Sequence, residues 1–296
     1  MNGADGCDGT RGAAPTGTLR SAADDAEDLG VRPLTARSVV LSTLLGNHPA
    51  QLPVRALVRI GELFGIAEGT VRVALSRMVA AGDLTHADGD YALTSRLLAR
   101  QRRQDDSRTP RTLPWTGVWE IALVTGERRT AAERTALRRA MDGLRLAELR
   151  EGSWLRPANL DRPRPAAADQ CTWLTGTPDG DPVALAGKLW DLDGWAARAR
   201  DLDARLGAAD DPAHRFTVAA AAQRHLLTDP LLPADLLPAD WPGGALRQSY
   251  DAFVDHLRDL LRHYLSPVAA PTTSGSGTGP AGAVRSGAAG ARRRTS

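Results

Sequence analysis

The chain has 296 residues, 42% hydrophobic and 24% charged, with 37 Lys and Arg against 35 Asp and Glu. That length supports two or three domains with adequate cores, while the formal charge of +2 argues for no partner class by itself. Cys7 and Cys171 are too few for a disulfide framework or a CxxC site, no apolar run reaches the roughly 18 residues of a membrane span, and the first ten residues lack signal-peptide features, so a cytoplasmic, nucleoid-associated protein is expected.

Residues 1–34 carry six acids against three arginines, with little apolar periodicity, and read as a disordered tail. Residues 35–104 reverse the balance, with nine arginines against five acids. Lys188 is the only lysine, so the positive charge is guanidinium, which suits phosphate and guanine contacts and equally suits GC-rich codon usage.

From Thr35 to Leu45, Val39, Val40, Leu44 and Leu45 recur at helical spacing, and Gly46-Asn47 supplies a stop. Pro53 opens a second helix through Leu57, Ile60, Leu63 and Phe64, closed by Gly65. After Ile66-Ala67-Glu68 a third helix runs to Ala81, with Val71, Ala74, Leu75 and Met78 forming its apolar stripe. Thr70, Arg72, Val73, Ser76 and Arg77 are left on its outer side. The stretch DLTHADGDYALT then alternates into two short strands about Asp88-Gly89, a pair that favours a type I′ hairpin. Three helices and a hairpin make a winged helix-turn-helix over 35–100, whose third helix is expected in the major groove of double-stranded DNA. Arg72, Ser76 and Arg77, with Thr70 and Val73, are the candidate base and phosphate readers; Arg37, Arg55 and Arg59 touch phosphates or solvent. An ordinary solvated helix face is the alternative.

Residues 101–114, charged and ending in proline, read as a linker. Over 115–190 the pieces are strand (VWEIALVTG), helix (TAAERTALRRAMDGL), strand pieces (LRLAELREGSWLRP) and, after a Pro/Ala-rich loop at 161–169, strand (CTWLTG); strand, helix, strand, strand with a later helix and strand suggests a ferredoxin-like α+β module. Residues 191–265 are helical, and 266–296, rich in Ser, Gly and Ala and ending in three arginines before Thr-Ser, read as a disordered basic tail. The fold class is thus α+β and multidomain.

The third helix with its hairpin, GVWEIALV at 117–124, KLWDLDGWAARARDL at 188–202 and DPLLPADLLPADWPG at 229–243 resemble the PaaX family of transcriptional repressors, from about Arg37 to Leu265. The likeness implies a winged helix, a Cas2-like ferredoxin domain and a helical C-terminal domain. It also implies repression of aromatic-acid catabolism, typified by phenylacetate, by homodimers on palindromic operators, with release by a coenzyme A thioester. Two departures stand out. The wing reads His86-Ala87-Asp88-Gly89-Asp90, whose acids repel phosphate, so Arg96, Arg100, Arg102 and Arg103 are the better backbone contacts. Ala219 to Ala222 precede Gln223-Arg224-His225 where the family favours His and Tyr ahead of an Arg pair, which points to a different effector. Trp190, Trp195, Arg224, His225 and Trp241 are the candidate ligand-binding residues, the tryptophans serving otherwise as core.

No catalytic constellation emerges. The six histidines are scattered, Asp259 and His263 read as a solvated i, i+4 pair, and HExxH, GxSxG and GxxxxGK[ST] are absent, so neither metal nor cofactor is expected beyond a possible thioester effector. A metal-dependent nuclease or RNA processor on the Cas2-like unit is the competing class, but its first strand ends Val124-Thr125-Gly126, without the acid such a nuclease needs. A ligand-independent regulator or adaptor is the third reading.

Overall fold

The computed structural model describes residues 29–30, 34–125 and 129–265; the expectations for the two tails and for Gly126 lie outside them. Helix α1 (Ala36–Gly46) starts at a capping box in which Thr35 and Ser38 satisfy each other's backbone N–H groups. A three-residue strand β1 (Gln51–Pro53) leads directly into α2 (Val54–Leu63), and α3 (Glu68–Ala80) follows a short turn. The hairpin is β2 (Leu84–Ala87) and β3 (Asp90–Leu93), with Asp88 and Gly89 both at positive φ, 53° and 83°, as a type I′ turn requires. Strand β1, absent from the sequence reading, pairs antiparallel with β3 to give the order β1-β3-β2.

Val39, Leu44, Leu57, Ile60, Val71, Leu75 and Met78 are sealed between the three helices. At roughly 1.5–3 kcal/mol for each fully buried large apolar side chain, this cluster is the main support of α3. Gly61 permits the close approach of α2 and α3, because a Cβ there would lie 2.5 Å from Val71 Cγ2.

The expected linker is mostly helix: α4 spans Ser95–Arg108. Its Gln101 is buried and donates to the carbonyls of Leu45 and Asn47, both at 2.9 Å, satisfying acceptors at the end of α1.

The middle of the chain is a four-stranded antiparallel sheet of β4 (Trp119–Val124), β5 (Ala147–Arg150), β6 (Ser153–Pro157) and β7 (Cys171–Gly176), in the order β5-β6-β4-β7. Helix α5 (Ala131–Gly143) packs Leu137 and Met141 on the face carrying Ala122 and Trp154. The opposite face, with Trp119 and Leu155, is covered by α6 (Pro182–Leu189) and by Leu232 and Leu236 of the proline-rich segment. Between β6 and β7 stands only a 3-10 turn, Ala166–Gln170.

Helices α7 (Leu192–Ala208), α8 (Pro212–Leu226) and α9 (Gly243–Leu265) complete the fold. Alanines 199, 219, 221 and 222 let the backbones of α7 and α8 approach closely. Phe216 of α8 and Leu257 and Leu261 of α9 enter the core of the N-terminal helices, so segments read separately as 35–100 and 191–265 share one apolar cluster. Among the described residues no helix is long and apolar enough to cross a membrane.

Candidate nucleic-acid interface

Periodicity decides which side of α3 is free. Val71, Leu75 and Met78 are fully buried, whereas Thr70, Arg72, Val73, Ser76 and Arg77 are all exposed, Val73 to 50%. Among the described residues nothing covers this face. Arg72 Nε donates to Glu68 Oε1 at 2.7 Å, one turn earlier, and Ser76 Oγ donates to the Arg72 carbonyl at 3.1 Å. Arg77 has no partner among the described residues. The preceding Ala67 offers no side-chain acceptor to the first turn of α3; its carbonyl accepts from the Thr70 N–H at 2.9 Å, which leaves the first two amides, of Glu68 and Gly69, open to an anion.

The other arginines divide. Arg55 on α2 is exposed, and Arg59 pairs with Glu62 at 3.1 Å on the surface. Arg37 and Arg96, expected against phosphates, both bind the carboxylate of Asp83, whose side chain is only 3% exposed. This clasp joins α1, the start of the hairpin and the start of α4. Asp83 was missed because after a helix-ending glycine it reads as a turn residue. Arg100 lies one turn along α4, close enough to Arg103 and Arg224 for both to depress its pKa, burial contributing most. In the hairpin, Asp90 accepts from Gln51 Nε2 at 2.8 Å, and His86 stacks on Tyr91 with centroids 4.3 Å apart.

The candidate ligand residues are only partly brought together. Trp195 is sandwiched between Trp241 and His225, at centroid distances of 4.6 and 4.4 Å, and its Nε1 donates to Thr228 Oγ1 at 3.2 Å. Both faces of its ring are therefore occupied from within, and the stack belongs to the core of α7, α8 and the proline-rich segment. Burial, the larger cause, and Arg198 push the His225 pKa down, against its bond to the Trp195 carbonyl. Trp190 lies elsewhere, beside Trp119 at 6.4 Å, and Arg224 donates to the Gly30 carbonyl.

A cleft of about 630 Å³ opens between α4, the end of α5 and the chain after β6, lined by Arg102, Arg103, Arg111, Arg145 and Arg162 together with Asp105, Asp106, Asp142 and Asp161. Arg145 donates to the carbonyls of Leu227 and Asp229, and Arg162 to Leu144 and Glu120, whereas Arg102, Arg103 and Arg111 reach solvent without a hydrogen-bonded partner among the described residues. No group of three or more His, Cys, Asp or Glu that could hold a metal ion occurs among the described residues.

Family models match both ends of the chain. Residues 35–97, which include α1 to α3 and the hairpin, match the model of the PaaX-like protein, and residues 193–267 match that of the PaaX-like protein C-terminal domain. The chain belongs to the PaaX-like family. Among solved structures, it is similar to the uncharacterized protein Rv0674 from Mycobacterium tuberculosis. The two are 49% identical over 78% of this chain and 98% of that one, with a TM-score of 0.70. No curated protein matches the chain.

Proposed function

We propose that this PaaX-like protein is a sequence-specific DNA-binding repressor acting in the cytoplasm. Residues 35–97 are read as a winged helix-turn-helix with α3 as its recognition helix, and the β5-β6-β4-β7 sheet as a ferredoxin-like, Cas2-like unit. The observation that carries the reading is the uncovered side of α3, which presents two arginines, two hydroxyls and a valine from a support sealed on its other side. An α-helix fits the roughly 12 Å major groove, arginine donates two bonds to guanine, and hydroxyls serve bases or phosphates. Acting as a homodimer on a palindromic operator, two such helices would stand about 34 Å apart, one turn of DNA.

The family resemblance supplies the regulated pathway, aromatic-acid catabolism of the phenylacetate type, and an effector of the coenzyme A thioester class that releases DNA. The cleft of about 630 Å³ falls within the roughly 300–1,000 Å³ of small-molecule sites, so its size supports a small-molecule effector, while its five arginines stand beside four aspartates and single out no class. Arg72→Ala and Arg77→Ala test the reading. Each is expected to abolish operator retention in a gel shift at moderate salt while leaving the circular dichroism spectrum unchanged. Full retention by both variants would remove α3 from the interface.

A further inference from the structure

Val73 stands in the middle of the uncovered side of α3. At about 100° per residue it points about 170° away from the centre of the buried stripe of Val71, Leu75 and Met78, so it projects straight out from the core. Its neighbours one turn away are Gly69, Thr70, Ser76 and Arg77, all of them exposed. Nothing in the fold calls for an aliphatic residue here: a β-branched side chain lowers helix propensity, and half of this one stays in water. Packing does not call for Gly69 either. A Cβ at that position would meet nothing within 4 Å, yet glycine weakens a helix. At i and i+4 the two residues set an apolar group beside open space, with Thr70 and Arg77 on one flank and Ser76 on the other.

An apolar knob among hydrogen-bonding groups suits a surface that is itself polar with one apolar spot. The edges of base pairs in the major groove are such a surface, since they carry donors, acceptors and a single apolar group, the 5-methyl of thymine. We infer that Val73 reads thymine: its two methyl groups pack on the 5-methyl of one thymine in each operator half-site, while the groups on its flanks hydrogen-bond to neighbouring bases or phosphates. A cytosine at that place would bring its N4 amino donor to a side chain that accepts nothing, and would be disfavoured. The contact rests on the DNA-binding function proposed above and adds to it the base that the centre of the face selects. Burial of one methyl group is worth about fourfold in affinity, so Val73 sets a preference at one position while the charged groups hold the complex.

Selection of binding sequences from a random double-stranded DNA pool by the full wild-type chain supplies the operator. Uracil, which differs from thymine only by the missing methyl, then replaces its thymines one at a time. In gel shifts, one such replacement in each half-site is expected to weaken wild-type binding about fourfold. Val73→Ser removes the apolar group and should bind the thymine and uracil versions alike, whereas Val73→Thr, which keeps one methyl, should retain part of the difference. Both changes lie at an exposed position, and circular dichroism should show both variants folded. Val79→Ala, at another exposed valine about 120° round the helix, should discriminate as the wild type does. Equal affinity of the wild type for thymine and uracil at every position, discrimination undiminished in Val73→Ser, or its loss in Val79→Ala would each overturn the assignment. Enrichment of an operator that is indifferent to uracil refutes the contact and leaves the repressor standing, whereas a pool from which the wild type enriches no sequence removes both.

Discussion

Arg156 offers the sharpest test of how this fold is held together. Its side chain is wholly buried on β6, where the guanidinium donates to the carbonyls of Pro157 at 3.0 Å, Arg145 at 3.3 Å, Pro230 at 3.2 Å and Leu231 at 3.1 Å, and to Asn159 Oδ1 at 2.7 Å. Burial first, and then Arg162, press its pKa down to about 9 against the pull of Glu120, so the group is charged at neutral pH. Arg156→Met keeps much of the volume but strands the carbonyls of Arg145 and Pro230 and Asn159 Oδ1, whereas Leu231 and Pro157 still accept from Asn159. Glu120 is not stranded, since Arg162 still holds it at 2.6 Å. Removing one partner from a buried charged network costs about 3–5 kcal/mol, although a well-packed apolar replacement is sometimes neutral. With roughly 2–4 °C per kcal/mol for a unit of this size, the Tm should fall by about 6–20 °C. Arg156→Lys keeps a charge without the planar fork and should fall between the two. Both are read by circular dichroism on heating; a Tm for Arg156→Met within about 2 °C of wild type would refute the idea that this guanidinium fastens the proline-rich segment.

Three further outcomes follow from single contacts. His225 is held below its ordinary pKa of 6.5, so the unfolded chain binds more protons just beneath that pH and stability falls as the solution is acidified from 6.5. His225→Gln should flatten the slope of Tm against pH between 7 and 5, and an unchanged slope rejects the assignment. Gly61→Ala sets a methyl against Val71 and should cost about 1–3 kcal/mol, partly offset by up to about 1 kcal/mol of helix propensity. By displacing α3 it should also weaken operator binding in a gel shift, and wild-type affinity at lowered stability would separate packing from recognition. Glu68→Gln removes an acid from α3 and frees Arg72, so affinity for all DNA sequences should rise, with the salt dependence steeper by about 0.9 in log–log slope; lower affinity would show that the ion pair positions Arg72 instead.

What was legible in the sequence was whatever periodicity or turn chemistry encodes locally. Val71, Ala74, Leu75 and Met78 mark the buried side of α3 because spacing alone sets a helix face, and Asp88-Gly89 marks the hairpin because few pairs tolerate two positive φ angles. Strand β1 was invisible, since three residues ending in a proline carry no alternation, and its pairing with β3 is a tertiary fact. Helix α4 was cut short because a polar run before a proline reads as linker, whereas its Gln101 and Ser107 are buried by contacts with other elements. The candidate site shows the same division. Exposure along α3 was predictable, but the capture of Arg37 and Arg96 by Asp83 depends on groups 46 and 13 residues away from that carboxylate. Likewise Trp195, His225 and Trp241 stack on one another, and no spacing rule distinguishes three rings awaiting a ligand from three rings that supply each other's faces.

The shared core changes how any signal would reach α3. Had residues 35–100 been tethered by a flexible linker, a ligand in the C-terminal helices could alter the chain without altering where α3 points. Instead Phe216, Leu257 and Leu261 pack among Val39, Leu57 and Ile60, Arg258 Nε reaches the Gly46 carbonyl at 3.3 Å, and Gln101 of the connecting helix is bonded to the end of α1. Packed interiors resist gradual deformation, so a shift of α9 must either be carried into α1 and α2 or open a gap that costs stability. A ligand moves such an equilibrium only through contacts that differ between the two arrangements. The Trp195 stack is built entirely within the C-terminal half, so a ligand there would reach α3 only through this shared core.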